Sequence, residues 1–519
     1  AKVSGNTITL NTASTSMVAI DGSSTSAGAG FPGGIINNGI TITTTGTSPT
    51  ITGILGSATG GPFKVNGNTI NSITASAAST SAPTIIGISV TAGTNDSIYN
   101  NQVKNITTGA GSGTATVAGI SFGGGTTPSI YKNKIVDIGT SNTGASSLVS
   151  GIRVSSATTS ATVFNNYIGA LTNPAAANID AIRGINLTST SSTSSLNIYY
   201  NTIFLDASTT AATFGTSGIF HTTSATATTA ALNLRNNIIV NNSANAGATG
   251  FTVAYRRSSS TLTNYAATSN NNLFYAGTPD SKYLIGYDGT NSYSTFAAFK
   301  TAMATRDQSS VTQNPPFLST TTSSATYLHI DPSTATPIES GAINISGITD
   351  DYDADVRWNN PGYAGASVSG TDIGADEFDG TLPGCTTAAG GTVAFPNAKK
   401  TVCTANSAAT FSPTGYTVGS GITYQWKVST TSGSGYSNVT DGIGAATPSY
   451  TTAPNLTTGT YYYILEVTCS TGPVVALSNE DTLVVNQTPT ATASNNGPVC
   501  SGAQITLTGT TDIGTTFAW

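Results

Sequence analysis

The densest group of charged side chains in the sequence is a run of aspartates near residue 350. Its members are Asp350, Asp351, Asp353 and Asp355. Carboxylate oxygens are the ligands that Ca²⁺ prefers, and this spacing allows several of them to meet at one ion. The run lacks the glycine and the distal glutamate of an EF-hand loop, and Arg357 follows it as an internal partner. Two interpretations stay open: a Ca²⁺ site, or a structural cap paired with Arg357.

Residues that could act on a polysaccharide are scarce in the first half of the chain. Residues 1–270 contain no glutamate, and their aspartates are Asp21, Asp96, Asp137, Asp180 and Asp206. Glycoside hydrolysis needs two carboxylates that flank one bond. A lyase needs a basic residue, usually with acidic ligands for Ca²⁺. Neither His221 nor His329 has a serine or cysteine partner at a recognisable spacing. The sequence therefore predicts no catalytic residue, although carboxylates gathered in one groove would favour an enzyme.

A few basic residues are the remaining candidates for ligand binding. Arg153, Arg183 and Asp180 come from neighbouring repeats, and we interpret them as isolated surface pairs. Arg256 and Arg257 could hold an anionic sugar, but adjacent residues of a strand point to opposite faces. These side chains therefore predict no joint binding site.

Two repeated motifs predict the scaffold that positions these side chains. An Asn followed two positions later by an aliphatic residue recurs nine times, at intervals of 30 to 36 residues. These anchors are Asn6, Asn38, Asn68, Asn101, Asn133, Asn166, Asn201, Asn237 and Asn271. A Gly followed by an apolar residue recurs at Gly53, Gly87, Gly119, Gly151, Gly184, Gly218 and Gly250. A fixed period of this length indicates stacked supersecondary units.

Each repeat is predicted to contain short β-strands. Strings such as residues 87–90 and 198–203 alternate apolar with polar residues, and residues 1–270 show no sustained helical period. This pattern is typical of a parallel β-helix. An Asn amide both donates and accepts hydrogen bonds, and Asn tolerates left-handed corners. We predict a structural ladder, rather than a ligand site, of Asn68, Asn101, Asn133, Asn166, Asn201 and Asn237.

The composition excludes two classes of partner. Only 8% of the 519 residues are charged, and the formal net charge is −6. Such a chain has no basic patch for nucleic acid or for an anionic membrane surface. It also has no run of 18 apolar residues that would span a membrane.

A series of motifs follows the repeats. Residues 294–303 have the pattern of a short amphipathic helix. After it come NPPF at 314–317, PIESG at 337–341, DYDADVR at 351–357 and DIGADEF at 372–378. This succession resembles the C-terminal turns of secreted right-handed β-helix proteins related to pectate lyases. The resemblance implies that the β-helix is right-handed. We predict such a helix of about eleven turns, with a C-terminal cap, over residues 1–380.

Residues 381–488 form a second predicted module. YQWK at 424–427 and YYYILEVTC at 461–469 resemble the Ig-like repeats of large secreted proteins from Bacteroidota. The resemblance implies a β-sandwich around a buried Trp426. Within it a Cys403–Cys469 disulfide is favoured, with Cys385–Cys403 as the alternative. Cysteines clustered in one module indicate an oxidising location.

Residues 489–519 resemble the start of another such module. Gly497–Cys500 and Ile505–Leu507 would supply a bridge half and a strand. We expect the natural polypeptide to continue, because half a sandwich cannot bury its own core. Cys500 is therefore expected to lack its partner here.

The sequence thus predicts an all-β protein, a right-handed parallel β-helix followed by Ig-like β-sandwich modules. Our main hypothesis is a non-enzymatic extracellular structural or adhesive protein at a bacterial cell surface, exported by the type IX route. Expected partners are other cell-surface or secretion-system proteins, carbohydrate, or further copies of the chain. No cofactor is expected apart from the possible Ca²⁺. The alternatives are a polysaccharide lyase or hydrolase, or its inactive relative, and a subunit of an extracellular filament.

Overall fold

A computed structural model describes most of the chain in two compact units, Ala1–Leu382 and Pro383–Trp519. The described residues are 2–23, 34–57, 62–77, 82–155, 160–189, 191–209, 211–223, 230–244, 249–365, 370–383, 388–393, 399–417, 422–469 and 474–513. The parallel β-solenoid predicted from the repeats is confirmed. It has about 8 turns, fewer than the eleven that we predicted, because the motifs after residue 310 do not continue its sheets.

Three sheets, named A, B and C here, form the walls of the solenoid. Sheet A contains Val3–Ser4, Ile35–Ile36, Lys64–Asn66, Ser97–Tyr99, Ser129–Tyr131, Ser160–Phe164, Ser195–Tyr199 and Ala231–Arg235. Sheet B contains Thr7–Thr12, Gly39–Thr44, Thr69–Ala75, Gln102–Gly111, Lys134–Asn142, Tyr167–Gly169, Leu171–Thr172, Thr202–Leu205, Ile238–Asn241 and Leu273–Tyr275. Sheet C contains Ser16–Asp21, Thr50–Gly56, Thr84–Val90, Thr116–Phe122, Leu148–Val154, Asn178–Leu187, Phe214–His221, Thr252–Arg257, Tyr283–Tyr287 and Ser292–Tyr293. All these pairings are parallel except that of the last two strands of sheet C.

The core is a set of aliphatic columns that run along the solenoid. One column of sheet B pairs Ile40, Ile70, Val103, Ile135, Ile168, Ile203 and Ile239 in register, each fully buried. Because side chains alternate between the faces of a strand, every second residue joins such a column. The period-two pattern in the sequence therefore encodes the inner wall.

A column of glycines in sheet C packs against that Ile column. A Cβ on Gly151 would lie 2.4 Å from Cγ2 of Ile168 and 2.7 Å from the carbonyl oxygen of Gly184. Glycine is therefore needed here for close approach. Ala254, rather than Gly250, continues the column after Gly218, because the register pairs Ser217 with Val253.

The predicted Asn residues form a continuous ladder, which is exposed at Asn6 and buried from Asn38 onward. Each side-chain amide donates to the Oδ1 of the next Asn at 2.8 to 3.0 Å, along Asn6, Asn38, Asn68, Asn101, Asn133, Asn166, Asn201, Asn237 and Asn272. Asn272, not Asn271, is the last member. Asn271 lies at the left-handed corner just before it, with φ 58°. The left-handed conformation therefore belongs to the residue before each ladder position, and not to the ladder itself.

These left-handed corners fix a long segment that follows the solenoid. The helix Phe296–Met303 begins after its N-cap Thr295. Beyond it the chain lies along the corners, where Asn236 donates to the carbonyl of Ile343 at 2.7 Å and Asn271 donates to that of Gly341 at 2.9 Å.

The same segment covers the outer face of sheet B. It buries Leu328, Ile330, Ile338, Ile373 and Ala375 against outward side chains of that sheet. The motifs at 314–378 add no strand to the solenoid sheets, unlike the C-terminal turns that the resemblance implied. The described residues of 314–378 form a segment that we call the cover.

The C-terminal unit contains a six-stranded sheet and two strand pairs among its described residues. The six strands are Lys399–Cys403, Ile422–Ser429, Ser437–Asn438, Gly459–Cys469, Val474–Leu477 and Asp481–Asn486. The pairs are Thr410–Phe411 with Tyr450–Thr451, and Ala491–Asn495 with Leu507–Thr511. Trp426 is fully buried between Phe411 and Tyr450, and its Nε1 donates to the carbonyl of Thr447 at 2.9 Å. This part is a small all-β core around Trp426.

Candidate functional site

The four aspartates of the predicted Ca²⁺ site do not converge. Asp350 pairs with Lys132 at 2.7 Å, and Asp353 pairs with His329 at 3.1 Å. Asp351 is buried and accepts from the backbone amides of Asp353, Asp355 and Glu377. Burial raises the pKa of Asp351 to about 7. Asp355 is exposed. The run is a turn held by Asp351 and not a group of ligands for one ion.

Arg357 is a structural residue, but its carboxylate partner lies outside the aspartate run. The fully buried guanidinium donates to Glu377 at 3.0 Å and to Oδ1 of Asn165 at 2.9 Å. It also stacks on the ring of Tyr200 at 3.9 Å. Arg357 therefore joins the cover to the solenoid corner.

A cleft of about 540 Å³ lies between sheet B and the cover. Its lining is mainly polar and comprises Gln102, Lys104, Asn105, Lys134, Val136, Asp137, Tyr167, Thr322, Ser323, Ser324, Ala325, Tyr327, His329 and Tyr352. Gln102, Lys134 and Tyr167 are register neighbours on successive strands of sheet B, so the solenoid presents them in a row. Thr322 to Ala325 form the opposite wall.

Lys134 is the most confined cation of the cleft. Its Nζ lies 4.7 Å from the centre of the Tyr327 ring and donates to the carbonyl of Ser324 at 3.5 Å. Burial lowers its pKa, and Asp137 opposes this effect. This environment suits a cation that binds an anionic or strongly polar ligand.

His329, Asp353 and Asp376 meet at one edge of the cleft. One ligand atom from each residue lies within 4.8 Å of the others. Asp376 is buried, and one of its oxygens accepts from the amide of Ile330 at 2.8 Å. Burial raises the pKa of Asp376 to about 6, while the hydrogen bond to Asp353 raises the pKa of His329.

Tyr167 lies beside this cluster with an unpaired hydroxyl. Its ring centre is 5.6 Å from that of His329 and 4.4 Å from that of Tyr352. The side chain is 1% exposed, and its hydroxyl has no hydrogen-bond partner among the described residues. Burial raises its pKa, and Asp376 and Asp353 add to the shift. A polar atom therefore lies near these carboxylates without a hydrogen-bond partner among the described residues.

The other predicted candidates lie on sheet C, away from the cleft. Asp180 pairs with Arg183 at 2.8 Å and with Arg256 at 3.4 Å. Arg256 and Arg257 are both buried, but Arg256 lies over the ring of Tyr287 and Arg257 over that of Tyr265, as expected for adjacent strand residues on opposite faces.

Arg153 and His221 also lie apart from the cleft. Arg153 is half-buried near Arg183 and Asn186. His221 is fully buried, with Nε2 3.0 Å from the carbonyl of Ala230. Its burial lowers its pKa to about 3, so it is a neutral core residue.

The predicted Cys403–Cys469 disulfide is wrong. Cys469 is disulfide-bonded, whereas Cys403 and Cys500 are free and exposed. The alternative Cys385–Cys403 pair fails for the same reason, and Cys385 itself lies outside the described residues. Cys469 ends a central strand and Cys403 ends an edge strand, and the sequence does not show this difference.

No pattern in the sequence identified the residues of the cleft as a site. Lys134 and Tyr167 come one and two repeats after Gln102, and their alignment follows only from the register. His329 and Asp376 are brought together by the fold of the cover. The DIGADEF motif contained Asp376, but its role as a buried neighbour of His329 had no local signal.

Comparison with known proteins assigns no function to the cleft. A family described as a domain of unknown function (DUF8696) matches residues 389–487, within the C-terminal unit. No curated protein and no solved structure matches the chain. Among the described residues, no helix has the length and apolar character needed to cross a membrane.

Proposed function

We propose that the chain is a non-enzymatic extracellular structural or adhesive protein whose solenoid binds carbohydrate in the cleft of sheet B. The observation that carries this proposal is the cleft itself, a polar groove on a rigid wall. Side chains on successive strands of sheet B form a regularly spaced row. Such a row can contact successive units of an extended sugar chain.

The lining matches the chemistry of a sugar chain. Gln102, Asn105 and Ser323 supply amide and hydroxyl groups that can bind sugar hydroxyls. Tyr352 and Tyr327 add aromatic surface, and Lys104 and Lys134 add positive charge. A glycan that contains acidic residues is the ligand that fits this combination best.

The carboxylates near the cleft do not favour hydrolysis. Hydrolases place two carboxylates on opposite sides of the bond, at least about 5 Å apart. One oxygen of Asp353 lies within 4.8 Å of one oxygen of Asp376, and Asp376 is 7% exposed. A carboxylate this buried is poorly placed to reach a glycosidic bond.

A lyase is the second candidate, and Lys134 is the observation that favours it. A lysine with a lowered pKa is a better general base at neutral pH than an ordinary lysine. Removal of a proton beside the carboxylate of a uronic acid would use such a residue.

Export and surface display rest on the resemblance and on composition. The Thr-, Ser- and Asn-rich, weakly charged chain and the cluster of cysteines suit an extracellular structural protein. The resemblance to large secreted proteins of Bacteroidota supports Ig-like modules, a type IX export route and partners at the cell surface. The resemblance to pectate-lyase-related proteins supports a right-handed solenoid.

The test is binding of defined oligosaccharides, measured by calorimetry, with neutral and uronic-acid series. We expect the acidic series to bind, and the double variant Lys104→Gln/Lys134→Gln to bind about 10-fold more weakly, a loss of about 1.4 kcal/mol. Lys64→Gln, an exposed lysine of sheet A, is the matched control and should bind normally. Equal binding by both variants, or none by the parent chain, contradicts the proposal.

The same samples separate binding from lyase activity. An unsaturated product that absorbs in the ultraviolet, formed by the parent chain and lost with Lys134→Gln, would replace the non-enzymatic proposal with the lyase.

A further inference from the structure

We infer that His329, Asp353 and Asp376 form a binding site for a divalent transition-metal cation at the edge of the cleft. The three ligand atoms come from three parts of the cover and lie within 4.8 Å of one another. Atoms bound at about 2.1 Å to one cation lie about 3 to 4 Å apart. Asp353 has a side chain that is 42% exposed, so its rotation can close the remaining gap.

The ligand types select the kind of cation. One imidazole and two carboxylates match borderline cations such as Zn²⁺, whereas Ca²⁺ is bound by six to eight oxygen ligands. The histidine that makes the difference is outside the aspartate run from which a Ca²⁺ site was predicted. Of that run, only Asp353 takes part.

The unpaired hydroxyl of Tyr167 is an independent observation that points to the same place. A buried hydroxyl without a partner is unfavourable, because it has lost its hydrogen bonds to water. The charges of Asp376 and Asp353 add to the effect of burial on its pKa, so both carboxylates lie near it. A water molecule bound to the cation would donate a hydrogen bond to the Tyr167 oxygen and satisfy it.

The surrounding contacts fix two of the three ligands. Asp376 is held by the amide of Ile330, the residue next to His329 in the chain. Tyr167 packs beside the His329 ring. One oxygen of Asp376 and the imidazole are therefore placed before a cation arrives, which lowers the entropic cost of binding.

The experiment is Zn²⁺ titration of the whole metal-free chain, with a chromogenic chelator as competitor. We expect one site per chain, and at least about 10-fold weaker binding for His329→Gln and for Asp353→Asn. Asp355→Asn is the matched control, since this aspartate is two residues away and exposed outside the cluster. Tyr167→Phe should retain the site with weaker binding.

Co²⁺ supplies a readout that depends on the ligands themselves. Its visible spectrum should show a nitrogen and oxygen environment in the parent chain, and this spectrum should change with His329→Gln. Circular dichroism of each variant verifies that the solenoid is intact. Absence of a stoichiometric site, or equal weakening by Asp355→Asn and Asp353→Asn, overturns the inference. Since Lys104 and Lys134 are not ligands, this result is independent of glycan binding.

Discussion

Asp307 ends the asparagine ladder by accepting a hydrogen bond from Asn272, with Nδ2 and Oδ1 3.1 Å apart. The carboxylate also accepts from the Tyr265 hydroxyl at 2.6 Å and from the Ser310 hydroxyl at 2.8 Å. A stack of amides leaves a donor without a partner at its last member. Asp307 supplies the acceptor, and it is fully buried.

This terminus makes solenoid stability depend on pH. Burial raises the pKa of Asp307 to about 6, from its ordinary value of 3.8. The folded state therefore holds the proton more tightly, so the stabilisation is complete below about pH 4 and is lost as pH rises through about 6. We expect Asp307→Asn to remove this pH dependence, so that the free energy of unfolding changes by up to about 3 kcal/mol less between pH 4 and pH 6. Urea unfolding at several pH values measures it. Asp355→Asn, the exposed control, should leave the slope unchanged.

Substitution of an asparagine inside the ladder should destabilise the solenoid more than substitution of an asparagine on the outer face. We expect Asn68→Ala to lower the free energy of unfolding by about 2 to 3 kcal/mol, because it leaves buried partners on two neighbouring turns unsatisfied. Asn66→Ala removes the same group from the outer face of the same turn and should cost under about 0.5 kcal/mol. Denaturant titration compares the two, and equal losses would contradict a structural role for the ladder.

The glycine column should not accept even one methyl group. A Cβ at Gly151 would overlap Ile168 and the backbone of Gly184, so Gly151→Ala should destabilise the solenoid by about 1 to 3 kcal/mol. Gly39→Ala is the control, because only the Asn71 amide lies near its Cβ, at 3.5 Å. Thermal unfolding of both variants tests the difference. A neutral Gly151→Ala would mean that the sheets can separate locally.

The cover should depend on Arg357. Arg357→Gln leaves Glu377 buried without its cation, and we expect a loss of about 3 to 5 kcal/mol. Arg153→Gln, on a half-buried arginine of sheet C, should be nearly neutral. Limited proteolysis at residues 311–378 is the direct readout, since the loosened cover would be cut first. Unchanged cleavage would exclude Arg357 as the attachment point.

The cysteine assignment can be tested by chemistry. We expect Cys403 and Cys500 to react with an alkylating reagent in the folded chain, and Cys469 to react only after reduction. Peptide mapping by mass spectrometry distinguishes the three. Alkylation of Cys469 without reduction would contradict the disulfide.

The sequence predicted the wall of the solenoid because each turn obeys the same local rule. The residues inside the ladder and the Ile columns were placed correctly from the period alone. The error of one position at Asn271 arose where three asparagines stand in a row, from Asn270 to Asn272. A repeated residue identifies its position in the turn only where no identical residue stands next to it.

The cover could not be placed in the same way. Its contacts, such as Asn236 with Ile343 and Arg357 with Asn165, join residues more than 100 positions apart. Its motifs were assigned to the final turns and cap of the solenoid because they resemble the C-terminal turns of pectate-lyase-related proteins. Their apolar residues instead meet the outer face of sheet B, which carries Val136, Phe204 and Val240.

The sequence by itself determined that this protein is an all-β solenoid with a buried asparagine ladder, since a repeated side chain makes the same neighbour contacts in every turn. The tertiary structure alone decided that His329, Asp353 and Asp376 meet beside Tyr167, and that Lys134 lines the same cleft. The physical reason is that these residues do not repeat. Their positions follow from how the cover packs on sheet B, and no local pattern in the chain specifies that packing.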